Sequence, residues 1–238
     1  MRSSRSGPDP LDPGPAGFAH RGLHSGAQFP ENSLIAFAAS LEAGAGIECD
    51  IRLTRDDWIV VFHDADAWRL CGSTLVIGES THAELSRLRV GEHPIPTLES
   101  LFALTAKRVP MLIEVKVAKD VWRWVPALRR TLASYNGPFG IMSFDPRIPR
   151  LLKTNMPQVR RGLVIRDSLS AMKRRVALWL ADPDFVAVER TALGKSWVAE
   201  LRKRMPVYSW TVASAEQRAQ AGVHADSLIW EADGRPRT

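Results

Sequence analysis

The stretch GIECDIRLTRDDWIVVFHD, from Gly46 to Asp64, carries the pattern on which the fold assignment rests. In its first half, apolar residues alternate with Glu48, Asp50 and Arg52, which is the period of a β-strand. Glu48 and Asp50 therefore project from the same face, close enough for each carboxylate to raise the pKa of the other. The alternation fits a solvated outer face as well as a charged interior site, and the rest of the chain has to decide.

Short apolar runs alternate with helical patterns along the chain, which predicts parallel β/α units. We predict strands near 17–20, 47–53, 58–63, 111–116, 139–143, 162–165, 185–188, 207–211 and 226–230, and helices near 32–44, 97–107, 120–134, 146–155, 169–181, 195–204 and 214–221. The turn TRDD is too short for a parallel crossover, so the second and third strands should form a hairpin. Without the return strand eight remain, which predicts a TIM (β/α)₈ barrel with a β-hairpin after strand 2 and a short insertion at 65–96.

Length and composition predict one globular domain. The chain has 238 residues, of which 45% are hydrophobic, and α/β barrels of this size commonly form a single unit. We expect a disordered leader at 1–15 and a single barrel domain at 16–235. No apolar run approaches the length of a membrane span. The two cysteines cannot form a disulfide framework, which favours a reducing, cytoplasmic compartment.

The net charge of +6 is unevenly distributed, because residues 147–204 contain 14 basic and 5 acidic residues. This half favours anionic partners, but no nucleic-acid-binding signature is present, and we expect no nucleic-acid partner. In the helical segment 169–181, Leu169, Met172, Val176 and Trp179 form an apolar stripe beside basic residues. Such a helix could contact an anionic membrane at its periphery, although an outer barrel helix has the same pattern. We favour packing against the barrel.

The side chains that could take part in a reaction lie near the carboxyl ends of the first strands. In a TIM barrel, reacting groups lie at this end of the strands. A hairpin centred on its turn would place Glu48 opposite His63. The residues that converge by register are His20 and Arg21 after the first strand, Glu48 and Asp50 on the second, His63 and Asp64 after the return strand, and Glu114 and Lys116 on the next.

Each residue type suits one part of a phosphoryl-transfer reaction. The carboxylates of Glu48, Asp50 and Glu114 are hard oxygen ligands for one divalent cation, Mg²⁺ or Ca²⁺, which would also remove their mutual repulsion. Two histidines can act as general base and general acid in P–O bond cleavage. A planar guanidinium and a lysine ammonium complement a phosphate group. His20 and His63 are the candidates for acid and base. Arg21 and Lys116 are the candidates for contacts to the phosphate.

The ordered motifs AHRG, FPENSLIAF, GAGIECDIRLTRDDWIVVFHD, IPTLESLFAL, LIEVK, SFDP and YSWTV resemble the glycerophosphodiester phosphodiesterase family over roughly residues 17 to 230. The resemblance implies a TIM barrel, a divalent metal held by Glu48, Asp50 and Glu114, acid/base histidines at His20 and His63, and phosphate contacts from Arg21 and Lys116. It also implies hydrolysis of a small-molecule glycerophosphodiester to glycerol 3-phosphate and an alcohol. Two alternatives stay open: a lysophospholipase D-type reaction at the same site, and a barrel that binds anionic membranes without turnover.

The sequence departs from the family pattern near its end. Trp230 and Glu231 in LIWEADG replace the usual Thr and Asp, and Glu189 stands where many members have Asn. Neither change touches the predicted metal ligands. For head-group binding we expect the residues around the mouth of the site to contribute. Trp210 and Trp230 are the candidate aromatic contacts, each worth about 0.5–2 kcal/mol for a quaternary ammonium, although for Trp230 we favour ordinary packing in the barrel domain.

Overall fold

The computed structural model describes residues 11–117 and 119–236. Within these residues, eight parallel strands close a barrel, with the first strand bonded to both the last and the second. The predicted TIM barrel is confirmed. The barrel strands are β1 (Phe18–Ala19), β2 (Gly46–Leu53), β6 (Met111–Val115), β7 (Phe139–Ser143), β8 (Arg160–Ile165), β9 (Phe185–Glu189), β10 (Val207–Val212) and β11 (Ser227–Trp230), while β3 (Ile59–Val61), β4 (Arg89–Val90) and β5 (His93–Pro94) lie outside the closed ring.

Helices connect the barrel strands on the outside. Several begin at a hydroxyl side chain that accepts a backbone N–H of the first turn, as Ser33, Thr97 and Ser170 do, and this cap marks where each helix starts. The helices are α1 (Leu34–Glu42), α2 (Trp68–Cys71), α3 (His82–Leu85), α4 (Leu98–Thr105), α5 (Trp124–Leu132), α6 (Arg147–Asn155), α7 (Ala171–Ala181), α8 (Ser196–Arg202) and α9 (Ala215–His224).

The hairpin exists, but its predicted register is wrong by one residue. The ladder pairs Ile51 with Val61, so Glu48 does not lie opposite His63. The backbone N–H of Thr54 bonds to the carbonyl of Trp58, which leaves three residues in the turn, and Asp57 has a φ of 62°. A three-residue turn that ends in a left-handed residue shifts the return strand relative to a turn centred on TRDD.

The charged face of β2 points into the barrel. Glu48 and Asp50 are each 1% exposed, while Cys49 packs on the opposite face, among the apolar residues that β2 buries under the helices. The solvated outer face is therefore excluded. The carboxyl ends of β1, β2 and β6 meet around these carboxylates, so the polar site occupies the upper interior.

The lower interior of the barrel is apolar and includes a residue that we assigned to the leader. Leu11 is fully buried beside Phe18 and Phe185. The prediction of disorder up to residue 15 is therefore wrong for 11–15, because Leu11 fills the space that Gly140 leaves open in the barrel wall. Residues 1–10 of the predicted leader lie outside the described residues.

The predicted packing of the stripe holds for Leu169, which contacts the core, and is wrong for the three residues on α7 itself. Met172, Val176 and Trp179 are 68%, 54% and 79% exposed. The helix instead turns Ala177, Leu178 and Ala181 toward the core between the outer helices and β8–β10. Alanines on the inner face let the helix approach closely, and the larger apolar side chains are left outside.

The insertion at 65–96 forms a small apolar layer over the hairpin. Ile77, Leu85 and Val90 pack there against Val60 and Phe62. In the part of the chain that the structure describes, no helix has the length and apolar character needed to cross a bilayer.

Candidate active site

The HRG segment makes a tight turn that aims Arg21 at the carboxylates of β2. Arg21 has a φ of 57° and Gly22 a φ of 80°. A Cβ at Gly22 would lie 2.9 Å from the backbone of Ala36, so only glycine fits under α1. The turn directs the backbone N–H of Arg21 to Glu48 Oε2 at 3.0 Å. The backbone thereby fixes one carboxylate of the site.

Asn32 fixes the second carboxylate. It is buried with a φ of 56°, and its amide nitrogen donates to Asp50 Oδ2 at 3.0 Å. Its side-chain oxygen accepts the backbone N–H of Asp50 at 3.2 Å. A side chain bonded at both ends holds the Asp50 carboxylate in one orientation.

The predicted metal ligands form a buried cluster. Glu48, Asp50 and Glu114 offer one oxygen each, and these oxygens lie within 4.8 Å of one another. Burial and repulsion from its neighbours raise the pKa of Glu48 well above its usual value, and burial raises that of Glu114 to about 7. Burial opposes ionisation of Asp50 too, but Lys116 and Arg21 outweigh it and lower the pKa of Asp50. Oxygen ligands in this number and spacing fit a hard divalent cation.

The two predicted phosphate-binding cations lie beside this cluster and contact it. Lys116 Nζ lies 2.9 Å from Asp50 Oδ1 and also donates to Glu114. Arg21 Nε lies 3.1 Å from Asp50 Oδ2, and its terminal nitrogen donates to Glu31 at 2.8 Å. Three carboxylates thus face two cations, and the cluster retains one excess negative charge when all are ionised.

His63 forms a hydrogen-bonded pair with its neighbour. Its Nδ1 lies 2.7 Å from Asp64 Oδ1, and since a carboxylate can only accept, Nδ1 carries the proton and Nε2 is left as the basic atom of the neutral ring. Burial lowers the pKa of His63. Arg52 donates twice to the His63 carbonyl, at 2.8 and 2.6 Å, so β2 holds this histidine in place although the ladder ends before it.

His20 has the same arrangement with a partner from the other end of the chain. Its Nδ1 lies 2.7 Å from Glu231 Oε2, and the hydrogen bond from His20 lowers the pKa of Glu231. Glu231 follows β11, whose last residue pairs with Ala19, so closure of the barrel brings the two together. Glu231, where the family pattern usually has Asp, therefore keeps a carboxylate at this position, and that carboxylate orients His20.

One guanidinium from the insertion joins both sides of the site. Arg69 makes two hydrogen bonds of 2.8 Å to the oxygens of Glu31 and two, at 2.6 and 3.2 Å, to those of Asp64. Glu31 binds Arg21 and Asp64 binds His63. These hydrogen bonds hold the pKa of Asp64 at about 2, against the opposing effect of burial. Arg69 therefore connects the supports of a phosphate-binding candidate and an acid/base candidate.

A cavity of about 150 Å³ opens at the centre of these residues. Phe144, Arg166 and Trp210 line its far side; Arg166 stacks on Phe144 at 4.5 Å and Trp210 meets Phe144 edge-on at 5.4 Å. The catalytic side is lined by His20, Arg21, Glu48, His63, Glu114 and Lys116. Trp230 packs in the core of the barrel domain, as the favoured interpretation of this residue predicts, and does not contribute to the rim of the cavity: it is 2% exposed, and its indole N–H bonds to the Ala16 carbonyl at 2.7 Å.

The comparisons with known proteins agree with this geometry. The model of the glycerophosphoryl diester phosphodiesterase family matches residues 20–230. The chain belongs to this family. It is 29% identical over 164 residues to a glycerophosphodiester phosphodiesterase of Caldanaerobacter subterraneus, over 63% of this chain and 67% of that one.

Solved structures of the family share the fold. A glycerophosphodiester phosphodiesterase from Thermotoga maritima superposes with a TM-score of 0.75 at 26% identity, over 90% of this chain and 92% of that one. A phosphodiesterase from Oleispira antarctica, solved with its product sn-glycerol-3-phosphate, superposes with a TM-score of 0.80 at 21% identity, over 91% and 92% of the two chains. Members of this family are hydrolases, and the chain is an enzyme of this class.

The sequence analysis missed the residues that support the site. It brought together His20, His63 and the three carboxylates, but gave no role to Asn32, Glu31, Arg52 or Arg69. The PEN motif contained a signal for two of them, since a buried polar pair before a helix needs partners. Arg166 gave no signal, because a basic residue after a strand is common in this half of the chain.

Proposed function

We propose that this chain hydrolyses glycerophosphodiesters to glycerol 3-phosphate and an alcohol, with a divalent cation and two histidines. One observation carries the proposal. Two histidines, each oriented through Nδ1 by a carboxylate, line the same small cavity as two members of a buried three-carboxylate cluster. The two histidines provide the base and the acid for cleavage of a phosphodiester, and the carboxylates provide oxygen ligands for a cation beside them.

Glu48, Asp50 and Glu114 would hold the cation. When bound, a divalent cation would neutralise charge on the phosphate and act as a Lewis acid. Support for this role comes from the burial of these carboxylates beside one another, which raises the pKa values of Glu48 and Glu114 and which a bound cation would offset. Either Mg²⁺ or Ca²⁺ fits ligands of this type.

The remaining roles fall to the chain's own side chains. The neutral imidazole of one histidine accepts the proton of the nucleophile through Nε2, and the protonated ring of the other gives its proton to the departing alkoxide. Arg21 and Lys116 stabilise the phosphate oxygens from the side of the carboxylates. Glu31, Asp64 and Glu231 hold these groups in position. A water molecule or the neighbouring glycerol hydroxyl can serve as the nucleophile in this geometry.

The size of the cavity favours small water-soluble diesters. At about 150 Å³ it is smaller than the roughly 300–1,000 Å³ of pockets that enclose drug-sized ligands. The acyl chain of a lysophospholipid would have to lie outside it, along a rim that carries the charged Arg166. The lysophospholipase D-type alternative is therefore the weaker one.

The test is release of glycerol 3-phosphate from glycerophosphocholine, with and without a chelator. We expect turnover that EDTA abolishes and that Mg²⁺ or Ca²⁺ restores. Glu114→Gln should remove the response to metal, whereas the exposed Glu79→Gln serves as the matched control and should behave like the wild type. Full activity in excess EDTA would contradict the metal proposal, and absence of turnover with either metal would contradict the substrate. The cytoplasmic location and the absence of a nucleic-acid partner stay predictions.

A further inference from the structure

The outer face of α7 is an amphipathic surface with no covering element among the described residues. Met172, Val176 and Trp179 lie three and four residues apart, form one stripe and are all more than half exposed. The opposite side of α7 already packs on the core through Ala177, Leu178 and Ala181. The exposed stripe therefore does not contribute to the packing of the barrel. We call Met172, Lys173, Arg175, Val176 and Trp179 the α7 face.

Positive charge surrounds this stripe. Helix α7 contains no acidic residue. A groove of about 600 Å³ runs from Trp179 toward α6 and the segment after α8, and Arg150, Arg175 and Arg204 line it. These three arginines and Lys173 are exposed, and within residues 11–117 and 119–236 none of them has an ion-pair partner. The one carboxylate in the groove, Asp182, is 2.5 Å from Lys153.

The charge and the apolar character of the α7 face together indicate which kind of partner would bind it. A second copy of the chain would bring the same cations against each other, which disfavours self-association. A polyanion alone would leave Met172, Val176 and Trp179 in water. A bilayer with anionic lipids meets both needs, because phosphates would face the arginines while the apolar side chains enter the interface, where tryptophan is favoured.

We infer that the α7 face is a docking surface for anionic lipid bilayers. The surface lies on the outside of the barrel, and its residues do not line the active-site cavity. The inference goes beyond the proposed hydrolase activity and can fail independently of it, since binding to vesicles requires no turnover.

The experiment is cosedimentation of the full chain with phosphatidylcholine vesicles that contain or lack phosphatidylglycerol. We expect binding only to the anionic vesicles, weakened by salt because the Debye length is about 8 Å at physiological ionic strength. Arg175→Glu should weaken binding at least about fivefold, from roughly 1 kcal/mol per basic residue. Trp179→Ala should weaken it about tenfold, through lost apolar burial.

Two matched controls make the test specific. Trp122 is 67% exposed on another part of the surface, and Arg87 is an exposed arginine of the insertion. Trp122→Ala and Arg87→Glu should bind vesicles like the wild type, and Trp179→Ala should keep wild-type turnover of soluble glycerophosphocholine. Binding that is absent at low salt, equal on neutral vesicles, or unchanged in both α7 variants would overturn the inference. So would capture of duplex DNA in preference to anionic vesicles.

Discussion

In the proposed mechanism, Asp64 and Glu231 decide which nitrogen of each histidine, His63 and His20, can exchange a proton with the substrate. Each accepts a hydrogen bond from Nδ1 at 2.7 Å, so the basic atom of both neutral rings is Nε2. The two pairs come from different ends of the chain, yet they place two like-oriented imidazoles at one cavity. This symmetry lets either histidine act as base in one step and as acid in the reverse step.

Alanine at either histidine should lower kcat by about 10² to 10⁴, which is the usual contribution of positioned proton transfer. We expect little change in thermal stability, because both rings are only partly buried at strand ends. Steady-state release of glycerol 3-phosphate by His20→Ala and His63→Ala measures the effect. His224→Ala, at an exposed position on α9, is the control. A His20→Ala enzyme with wild-type turnover would show that the HRG turn does not carry the chemistry.

Arg69→Ala should lower kcat about 10- to 100-fold and leave KM nearly unchanged. Loss of groups that orient catalytic or ligating side chains typically has this magnitude, and Arg69 does not line the cavity. Arg69→Lys should recover only part of the rate, because an ammonium cannot bond both Glu31 and Asp64 in the fork geometry. Arg87→Ala, in the same insertion, is the matched control. A rise in KM with unchanged kcat would mean that Arg69 binds substrate instead of positioning His63.

The candidate site residues on the strands could be predicted from the sequence, whereas the side chains that hydrogen-bond to them and hold them in place could not. His20, Glu48 and Glu114 follow from the period of a strand and the polarity of a parallel barrel. The partner of His20 lies 211 residues away, and that of Glu31 lies 38 residues away in an insertion of irregular structure. Such contacts depend on loop conformations that carry no periodic signal.

At the scale of elements, the lower end of the barrel, called the barrel floor here, is closed by large side chains that pack against glycines. An added Cβ at Gly140 would lie 2.7 Å from Leu11, and one at Gly162 would lie 2.3 Å from Phe185. Two glycines on neighbouring strands thus admit two large side chains that close the lower end. Interiors packed at crystal-like density tolerate little change of volume at such points.

Gly162→Ala should destabilise the protein by about 1–3 kcal/mol, because the new methyl group overpacks the barrel floor. Gly222→Ala in α9 is the contrasting control: nothing lies within 4 Å of its added Cβ, and alanine is favoured in a helix by about 0.5–1 kcal/mol. Thermal or urea unfolding measures both changes. The prediction would be contradicted by a Gly162→Ala protein as stable as the wild type, and relief of the defect by a second change, Phe185→Leu, would support it.

The existence of the strands could be predicted, because it depends on the periodic pattern of apolar residues. The strand register and the helix orientation could not, because they depend on the conformation or size of single residues. All nine strands predicted from alternation and apolar runs exist. The hairpin register failed because Asp57 adopts a left-handed conformation, which the letters TRDD do not reveal. The prediction for α7 failed because Ala177, Leu178 and Ala181 face the core, whereas the larger Met172 and Trp179 do not.

On the scale of the whole molecule, burial of Glu48, Asp50 and Glu114 links the protonation of the proposed metal site to folding stability. The folded-state pKa of Glu114 is about 7, against an ordinary value of 4.5, and that of Glu48 is also raised, both mainly by burial. Between these values the folded state binds more protons than the unfolded state. Stability from the protonated carboxyls is therefore fully present below pH 4.5 and is lost as the pH rises through about 7. The lowered pKa of Asp50 has the opposite sign: the stability that it contributes is fully present above pH 3.8 and is lost only in stronger acid, so it does not change between pH 5 and 8.

A bound cation should reverse this loss, because it binds the ionised carboxylates and only the folded chain presents them together. We predict that the unfolding temperature in excess Mg²⁺ or Ca²⁺ exceeds that in EDTA by a small margin at pH 5 and by a much larger one at pH 8. The difference between the two conditions isolates the contribution of the site, since other titrating groups contribute equally to both.

Scanning calorimetry of the wild type and of Glu114→Gln measures this difference in unfolding temperature. The variant should be less sensitive to pH in EDTA and should gain less from metal. A metal-induced gain that is equal at both pH values, or larger at pH 5, would mean that these carboxylates are ionised without the cation and that charge from Arg21 and Lys116 suffices to hold them.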